Sequence, residues 1–208
     1  MKLGKLSKGI ALVAVASFAL AACSSSDETD ATTSAAPGEP TVSTAIISTN
    51  GSEPANPLIP SATNETGGGK IIDAIFSGLV YYDAEGVPHN EVAESITTDD
   101  AQTFTVTLAD GWTFTDGTPV LAHNFVDAWN WGADLANADI SLNSYFFETI
   151  EGFSWDESVP EMSGLTVVDD MTFTITLKAQ QADFPLSLGY SAFYPLPEIG
   201  RASCRERV

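Results

Sequence analysis

The chain is poor in basic residues, and most of those it has lie near its ends. It contains 8 Lys and Arg against 28 Asp and Glu, and only Lys70 and Lys178 lie between residues 24 and 198. Because a nucleic-acid-binding protein needs basic side chains to neutralise phosphates, this balance argues against nucleic acid as a partner. The acidity is typical of a well-solvated surface, and a preference for cationic ligands is the less favoured interpretation.

Cysteine and histidine are also scarce, with two of each. Cys23 and Cys204 lie near opposite ends of the chain, so the sequence offers no disulfide framework. Neither His89 nor His123 has another His or a Cys at the spacing of metal ligands. We therefore expect no cofactor, no metal and no enzymatic activity.

The first 23 residues have the pattern of a bacterial lipoprotein leader. Three lysines precede an apolar stretch, residues 10–20, which is too short to span a bilayer. A Leu-Ala-Ala segment then ends at Cys23, which resembles a lipobox; an ordinary signal peptide with an incidental Cys is the alternative. We expect residues 1–22 to be a signal peptide and Cys23 to carry a lipid that anchors the protein to the cell membrane, on its extracytoplasmic side.

The segments that flank the central part of the chain differ from it in composition. Residues 23–40 are rich in Ser, Thr, Ala, Asp, Glu and Pro, which predicts a disordered tether. Residues 199–208 can be encoded by ATC GGA AGA GCG TCG TGT AGG GAA AGA GTG, which resembles a common sequencing adapter; a genuine basic tail is the alternative. We expect residues 198–208 to be non-native and the chain to be truncated there.

The central part begins with patterns of a strand, a helix and a hairpin. Residues 41–49 are β-branched and apolar, which predicts a buried strand. After a loop at residues 50–60, three glycines at residues 67–69 precede apolar residues at helical spacing. We interpret the glycines as a loop before the helix and not as a phosphate site, because no Gly-Lys-Ser/Thr ending follows. Residues 83–86 predict the turn of a hairpin.

One pattern of a turn followed by a strand occurs twice. Residues 99–108 and residues 169–177 each begin with Asp-Asp and continue with alternating Thr and apolar residues. This alternation predicts antiparallel strands with Thr on the wet face and, on the buried face, Phe104, Val106 and Leu108, and Phe173, Ile175 and Leu177. The Asp pairs suit turns; paired catalytic carboxylates or a calcium site are the alternatives.

Between these strands, residues 122–136 predict an amphipathic helix. Phe125, Ala128, Trp129 and Gly132 fall on one stripe of it. We expect Trp112 and Trp129 to lie in the core. Strands and helices in this order predict an α+β fold with antiparallel pairing.

Residues 112–125 read Trp-Thr-Phe-Thr-Asp-Gly-Thr-Pro-Val-Leu-Ala-His-Asn-Phe. They resemble the signature of the extracellular solute-binding proteins of family 5, the peptide-binding components of ABC importers. Two positions depart from the family pattern: Leu121 stands where a helix-capping Thr is usual, and Asn124 stands where an Asp is usual. Further segments resemble the family in the expected order, at residues 46–57, 72–82, 169–177 and 194–197.

The resemblance implies the N-terminal part of a type II periplasmic-binding-protein-like fold, truncated. Residues 41–77 would form the first segment of lobe I, and residues 78–197 would form an inserted domain with the antiparallel sheet. The rest of lobe I and all of lobe II would follow residue 197. Since the family's ligand cleft lies between the lobes, we expect the 208-residue chain alone not to bind a ligand.

The resemblance also implies a function, which is the capture of peptides outside the cell for an ABC permease. The protein would act as a monomer without a cofactor. Ligand contacts are implied in two segments, at Ser61, Ala62, Thr63 and Asn64, and at Leu142 and Tyr145. The alternatives are a family-5 receptor for a nickel chelate, an opine, haem or an oligosaccharide, or a surface lipoprotein with a structural or adhesive β-rich domain.

Overall fold

A four-stranded antiparallel sheet lies at the centre of the structure, a computed structural model that describes residues 48–197. In chain order the elements are α1 (Thr66–Ile75), β1 (Val80–Tyr82), β2 (Pro88–Asn90), β3 (Ala93–Thr97), β4 (Thr103–Leu108), α2 (Ala122–Ala133), β5 (Leu165–Asp169) and β6 (Thr172–Thr176). The sheet has the strand order β3–β4–β6–β5, and β1 and β2 pair separately as a hairpin. The predicted α+β fold and the predicted hairpin are thereby confirmed.

The two strands with the repeated pattern lie side by side in the middle of the sheet. Phe104 of β4 is opposite Ile175 of β6, and Val106 is opposite Phe173. These four side chains are buried, while the Thr residues between them are partly exposed. The repeat therefore reflects two neighbouring strands that turn the same face to one core.

Helix α2 covers the buried face of the sheet with the predicted stripe. The ring of Phe125 stacks on that of Phe173 at 5.8 Å between centroids, and Trp129 meets Phe173 edge-on at 5.6 Å. The side chain of Trp129 is fully buried and that of Trp112 is partly buried against the same core. The prediction that both tryptophans belong to the core is confirmed.

The predicted C-terminal end of α2 was wrong by one turn. The helix ends at Ala133, and a separate 3₁₀ turn occupies Leu135–Asn137. Asp134 between them has an extended backbone, and its carboxylate accepts hydrogen bonds from the N–H of Ala136 at 3.1 Å and the hydroxyl of Ser158 at 2.6 Å. Apolar periodicity does not reveal such a side-chain cap, because the cap depends on a polar residue that the periodic pattern ignores.

The interpretation of the three glycines as a loop before the helix was also wrong. Helix α1 begins at Thr66, so the glycines lie in its first turn. The carboxylate of Glu65 accepts hydrogen bonds from the N–H groups of Gly67 at 2.6 Å and Gly68 at 2.8 Å. This side chain starts the helix in spite of the low helix propensity of Gly, and it occupies the end where an anion would bind.

The paired acidic residues have the turn role that their positions predict. A carboxylate oxygen of Asp100 accepts hydrogen bonds from the N–H groups of Gln102 at 2.8 Å and Thr103 at 2.7 Å, which lowers the pKa of this carboxyl group. In the second pair, Asp169 accepts from the N–H of Met171 at 2.9 Å. Among residues 48–197 there is no group of three or more His, Cys, Asp or Glu that could hold a metal ion.

Several predictions lie outside the described residues: the leader, Cys23 as its lipid site, the tether, the non-native tail and residues 41–47 of the first strand. Ser48 and Thr49, which complete that predicted strand, are exposed and belong to no strand. The domain boundary after residue 77 stays a prediction. Within residues 48–197, no helix is long and apolar enough to cross a membrane.

The start of α2 provides a stability prediction at one of the two departures from the family signature. Leu121 is the N-cap and has no side-chain oxygen to offer, although Asn124 accepts a hydrogen bond from its N–H at 2.8 Å. We expect Leu121→Thr to raise the free energy of unfolding by about 1 kcal/mol, since a hydroxyl there can accept a hydrogen bond from a backbone N–H group in the first turn of α2. Urea denaturation followed by circular dichroism measures this difference.

Leu121→Val is the matched control, because Val has the shape of Thr without its hydroxyl. The stabilisation should appear in the Thr variant and not in the Val variant. Equal stability of these two variants would contradict the capping argument.

Candidate functional site

A groove of about 740 Å³ lies beside α1 and the hairpin of β1 and β2. The chain has five tyrosines, and four of them line this groove: Tyr81, Tyr82, Tyr190 and Tyr194. We call it the tyrosine groove. Tyr combines a large apolar ring with a hydrogen-bonding hydroxyl and is enriched at binding surfaces. The convergence of tyrosines from distant parts of the chain makes the groove the candidate ligand-binding site.

One wall of the groove is a face of α1, where Lys70, Asp73 and Ala74 are at helical spacing. The hydroxyl of Tyr194 lies 3.4 Å from the carboxylate of Asp73 and 3.3 Å from the carbonyl oxygen of Gly189, and these two acceptors share its single proton. Burial raises the pKa of Tyr194, and the nearby charge of Asp73 raises it further. Tyr194 is therefore a neutral hydrogen-bond donor at any physiological pH.

Burial also raises the pKa of Asp73, while the hydrogen bond from Tyr194 acts in the opposite direction. Glu91 lines the same groove, and its charge is among the groups that raise the pKa of Tyr194. The groove thus combines phenol rings with carboxylates, with Lys70 as the basic residue in its lining. Such a lining offers both apolar contact and polar groups to an extended ligand.

The segment that contains Tyr190 is held tightly against the hairpin. The hydroxyl of Tyr82 donates a hydrogen bond to the carbonyl oxygen of Leu186. A Cβ atom at Gly189 would lie 2.6 Å from the ring of Tyr82, so glycine is what lets this backbone approach the ring. These contacts fix the position of Tyr190 at the rim of the groove.

The fifth tyrosine adjoins the groove through Phe146. The ring of Phe146 stacks on Tyr190 with centroids 4.1 Å apart, and it lies 4.5 Å from the ring of Tyr145. The side chain of Tyr145 remains 47% exposed. The three rings therefore form a continuous aromatic edge that leads from the groove to the predicted contact segment around Leu142 and Tyr145.

The structure brings the two predicted contact segments together. Asn143 joins them, because it donates hydrogen bonds to the backbone carbonyl oxygens of Pro60, Ser61 and Thr63. Thr63 and Asn64 line the tyrosine groove, and Leu142 and Tyr145 are exposed at the surface. Ser61, Ala62 and Thr63 are all buried, at 3%, 0% and 2% exposure. A ligand contact at each of these six positions stays a prediction.

The sequence reasoning missed five residues that line the groove: Asp73, Tyr81, Tyr82, Tyr190 and Tyr194. Asn143 lies within the predicted contact region from Leu142 to Tyr145, although the sequence did not single it out. The helical spacing that predicted α1 also places Lys70, Asp73 and Ala74 on one face of the helix, and the charged pair on this face was a usable signal for one wall of the groove. No comparable signal joins Tyr82 to Tyr190, since more than a hundred residues separate them in the sequence.

A comparison with models of known protein families identifies the family of this chain. Residues 87–202, more than half of the chain, match the family model described as bacterial extracellular solute-binding proteins, family 5 (middle part). The chain belongs to this family. The match includes the signature at residues 112–125 and the groove residues of the 189–194 segment, and it confirms the resemblance seen in the sequence.

Several curated proteins align with most of the chain. The oligopeptide-binding protein OppA of Bacillus subtilis is 27% identical over 143 residues, which are 68% of this chain and 26% of that protein. The periplasmic OppA of Salmonella typhimurium is 29% identical over 74% of this chain and 28% of its own length. The dipeptide-binding protein DppE of B. subtilis is 26% identical over 95% of this chain and 37% of its own length. The chain thus spans about a quarter to just over a third of these relatives.

Solved family structures have the same fold over the region they share with this chain. The murein tripeptide-binding protein MppA of Escherichia coli superposes with a TM-score of 0.68 at 28% identity, covering 74% of this chain and 31% of that structure. The OppA of Haemophilus influenzae in complex with RPPGFSPFR gives 0.66 at 25% identity, covering 73% and 31%. The described residues therefore have the fold of a part of a type II periplasmic-binding-protein-like protein.

Proposed function

We propose that this chain is part of a substrate-binding protein that captures peptides outside the cell for an ABC importer. One observation supports this proposal most directly. The relatives that align with most of the chain are named for binding oligopeptides or dipeptides, and solved neighbours from H. influenzae and Listeria monocytogenes contain a bound peptide.

The tyrosine groove is consistent with a peptide ligand. Peptides that bind in an extended form gain affinity from main-chain hydrogen bonds, while side chains need adaptable apolar contacts. Phenol rings such as those of Tyr81 and Tyr190 provide the apolar contacts. Polar groups of the groove, including Asn64 and Asp73, provide partners for the main-chain hydrogen bonds. We propose that the peptide contacts this groove and the aromatic edge formed by Tyr190, Phe146 and Tyr145.

We further propose that the mature protein is held at the membrane by a lipid on Cys23. The leader pattern that ends at this residue supports the proposal. Cell fractionation tests it, because Cys23→Ser should move the protein from the membrane to the soluble fraction. Ser24→Ala, at the next position in the chain, is the control and should leave the distribution unchanged; an unchanged distribution in the Cys23 variant would contradict lipid anchoring.

Thermal-shift measurements on the full-length protein test the choice of ligand. A mixed pool of di- to pentapeptides should raise the melting temperature, and the rise should grow with peptide concentration because the ligand binds the folded state alone. No shift with any peptide, together with a shift from a nickel chelate, haem or an oligosaccharide, would replace the peptide assignment with one of those solutes.

The role of the groove is tested by calorimetric titration with the peptide that stabilises most. Tyr190→Ala should weaken binding about tenfold, or about 1.4 kcal/mol, since it removes the ring that joins the groove to the aromatic edge. Trp155→Ala is the control, because Trp155 is also an exposed aromatic residue but contacts Phe153 and does not line the groove. Equal effects of the two substitutions would contradict the placement of the ligand.

A further inference from the structure

Asn143 makes an unusual set of contacts for a residue between two exposed side chains. It is fully buried, whereas its neighbours Leu142 and, two residues on, Tyr145 are exposed. Its side-chain amide nitrogen donates to the carbonyl oxygens of Thr63 at 2.8 Å and Pro60 at 3.3 Å. Its backbone N–H donates to the carbonyl oxygen of Ser61 at 3.0 Å. One residue thus holds three carbonyls of a turn that lies some 80 positions earlier in the chain.

This turn determines where one wall of the tyrosine groove begins. Thr63, the last residue of the turn, and Asn64 after it line the groove, and Glu65 caps α1, whose face forms the wall. The turn is also confined from the other side, since a Cβ atom at Gly132 of α2 would lie only 3.0 Å from the Cβ of Ser61. A shift of the turn would therefore move the groove wall with it.

The side-chain amide of Asn143 uses its donors but not its acceptor. The side-chain oxygen of Asn143 and the hydroxyl oxygen of Ser61 are both buried without a hydrogen-bond partner among the described residues. A buried oxygen without a partner destabilises the fold, and an apolar side chain at position 143 would avoid this cost for the amide oxygen. What the amide provides is a fixed distance between two carbonyls, which orients the backbone that carries Thr63 and Asn64.

We propose that Asn143 is a positioning residue that holds residues 60–64 in the conformation in which the tyrosine groove binds its ligand. The inference rests on the proposed peptide-binding function. Asn143 does not touch the ligand; it acts through the backbone of Ser61 and Thr63. A substitution that removes its side-chain donors changes none of the residues that line the groove. It changes only the position of the groove wall that residues 60–64 and α1 form.

The test compares two buried asparagines in the full-length protein. Asn143→Ala removes the side-chain hydrogen bonds to the carbonyl oxygens of Pro60 and Thr63 and keeps the backbone hydrogen bond to Ser61. Asn130→Ala is the matched control, because the buried Asn130 likewise ties distant backbone, accepting from the N–H of Met162 at 2.8 Å, but has no hydrogen bond to residues 60–64. The readouts are the melting temperature, the Kd and stoichiometry for the most stabilising peptide, and amide hydrogen exchange of residues 60–64.

Both substitutions should lower the melting temperature. Only Asn143→Ala should also raise the Kd about tenfold or more at a stoichiometry near one, and speed exchange of residues 60–64 while exchange in β4 and β6 is unchanged. If Asn143→Ala does not fold, Asn143→Ser provides the same comparison with a smaller loss of polarity.

An unchanged Kd with normal exchange in residues 60–64 would overturn the inference, as would an equal loss of affinity in Asn130→Ala. If the unsubstituted protein binds no peptide, the proposed function fails separately. Hydrogen exchange then decides the positioning role by itself, because equal exchange of residues 60–64 in the two Ala variants would refute it.

Discussion

Replacing Trp129 with Ala is expected to lower the free energy of unfolding by about 4 kcal/mol, near the middle of the range for large aromatic residues in cores. The indole is fully buried at the point where helix, sheet and C-terminal segment meet. It packs against the rings of Phe125, Phe147, Phe173 and Phe193. The substitution leaves a cavity that these rings cannot fill without losing their own contacts.

The indole N–H adds a polar contribution to this effect. It donates a hydrogen bond to the carbonyl oxygen of Phe193 at 2.9 Å, which ties α2 to the segment that carries Tyr190 and Tyr194. Trp129→Phe keeps most of the ring volume but loses this bond, so it should cost less than the Ala variant. Urea denaturation followed by circular dichroism measures both. A loss below about 1 kcal/mol in Trp129→Ala would contradict the central role of this residue in the core.

The second large effect is expected at Gly164, where Ala should destabilise the protein by about 3 kcal/mol, the upper part of the range for overpacking. A Cβ atom there would lie 2.4 Å from the carbonyl oxygen of Thr176 and 2.9 Å from the backbone of Glu151. Backbone atoms cannot rotate away as a side chain can. The substitution must therefore break the hydrogen bonds of Gly164 with Glu151 and Thr176, now 2.8 and 2.7 Å long.

Gly69→Ala is the matched control for this prediction. Gly69 lies inside α1, and a Cβ atom there would meet nothing within 4 Å. Because Ala has a higher helix propensity than Gly, this variant should be more stable by about 1 kcal/mol. Opposite signs of the two Gly→Ala effects are expected in the same denaturation assay. Stabilisation at Gly164 would contradict the close backbone approach that the structure gives.

Residues with a strong local pattern were predicted well from the sequence. The alternation in β4 and β6 and the stripe of Phe125, Ala128, Trp129 and Gly132 lead directly to the observed core. The turn residues at 83–86 and at Asp100 also act as predicted. Each of these signals lies within about ten consecutive residues, where backbone geometry alone decides which side chains share a face.

Predictions failed where a single polar side chain overrode the pattern. Glu65 caps α1, which begins at Thr66, one residue before the three glycines. Asp134 follows the end of α2 at Ala133, three residues before the predicted end at residue 136. Intrinsic helix propensity disfavours a helix that starts at three glycines, and it does not specify where α2 ends. In both cases a carboxylate that accepts hydrogen bonds from free backbone N–H groups decided the boundary.

The amino-acid sequence by itself determined the family, the α+β architecture and the faces that each strand and helix would bury. These properties follow from local periodicity and from a signature of consecutive residues, 112–125. Only the tertiary structure decided that the tyrosines near residues 81 and 190 line one groove, and that Asn143 holds residues 60–63. Contacts between residues 80 to 110 positions apart depend on how the whole core packs, because no local pattern specifies which distant surfaces will meet.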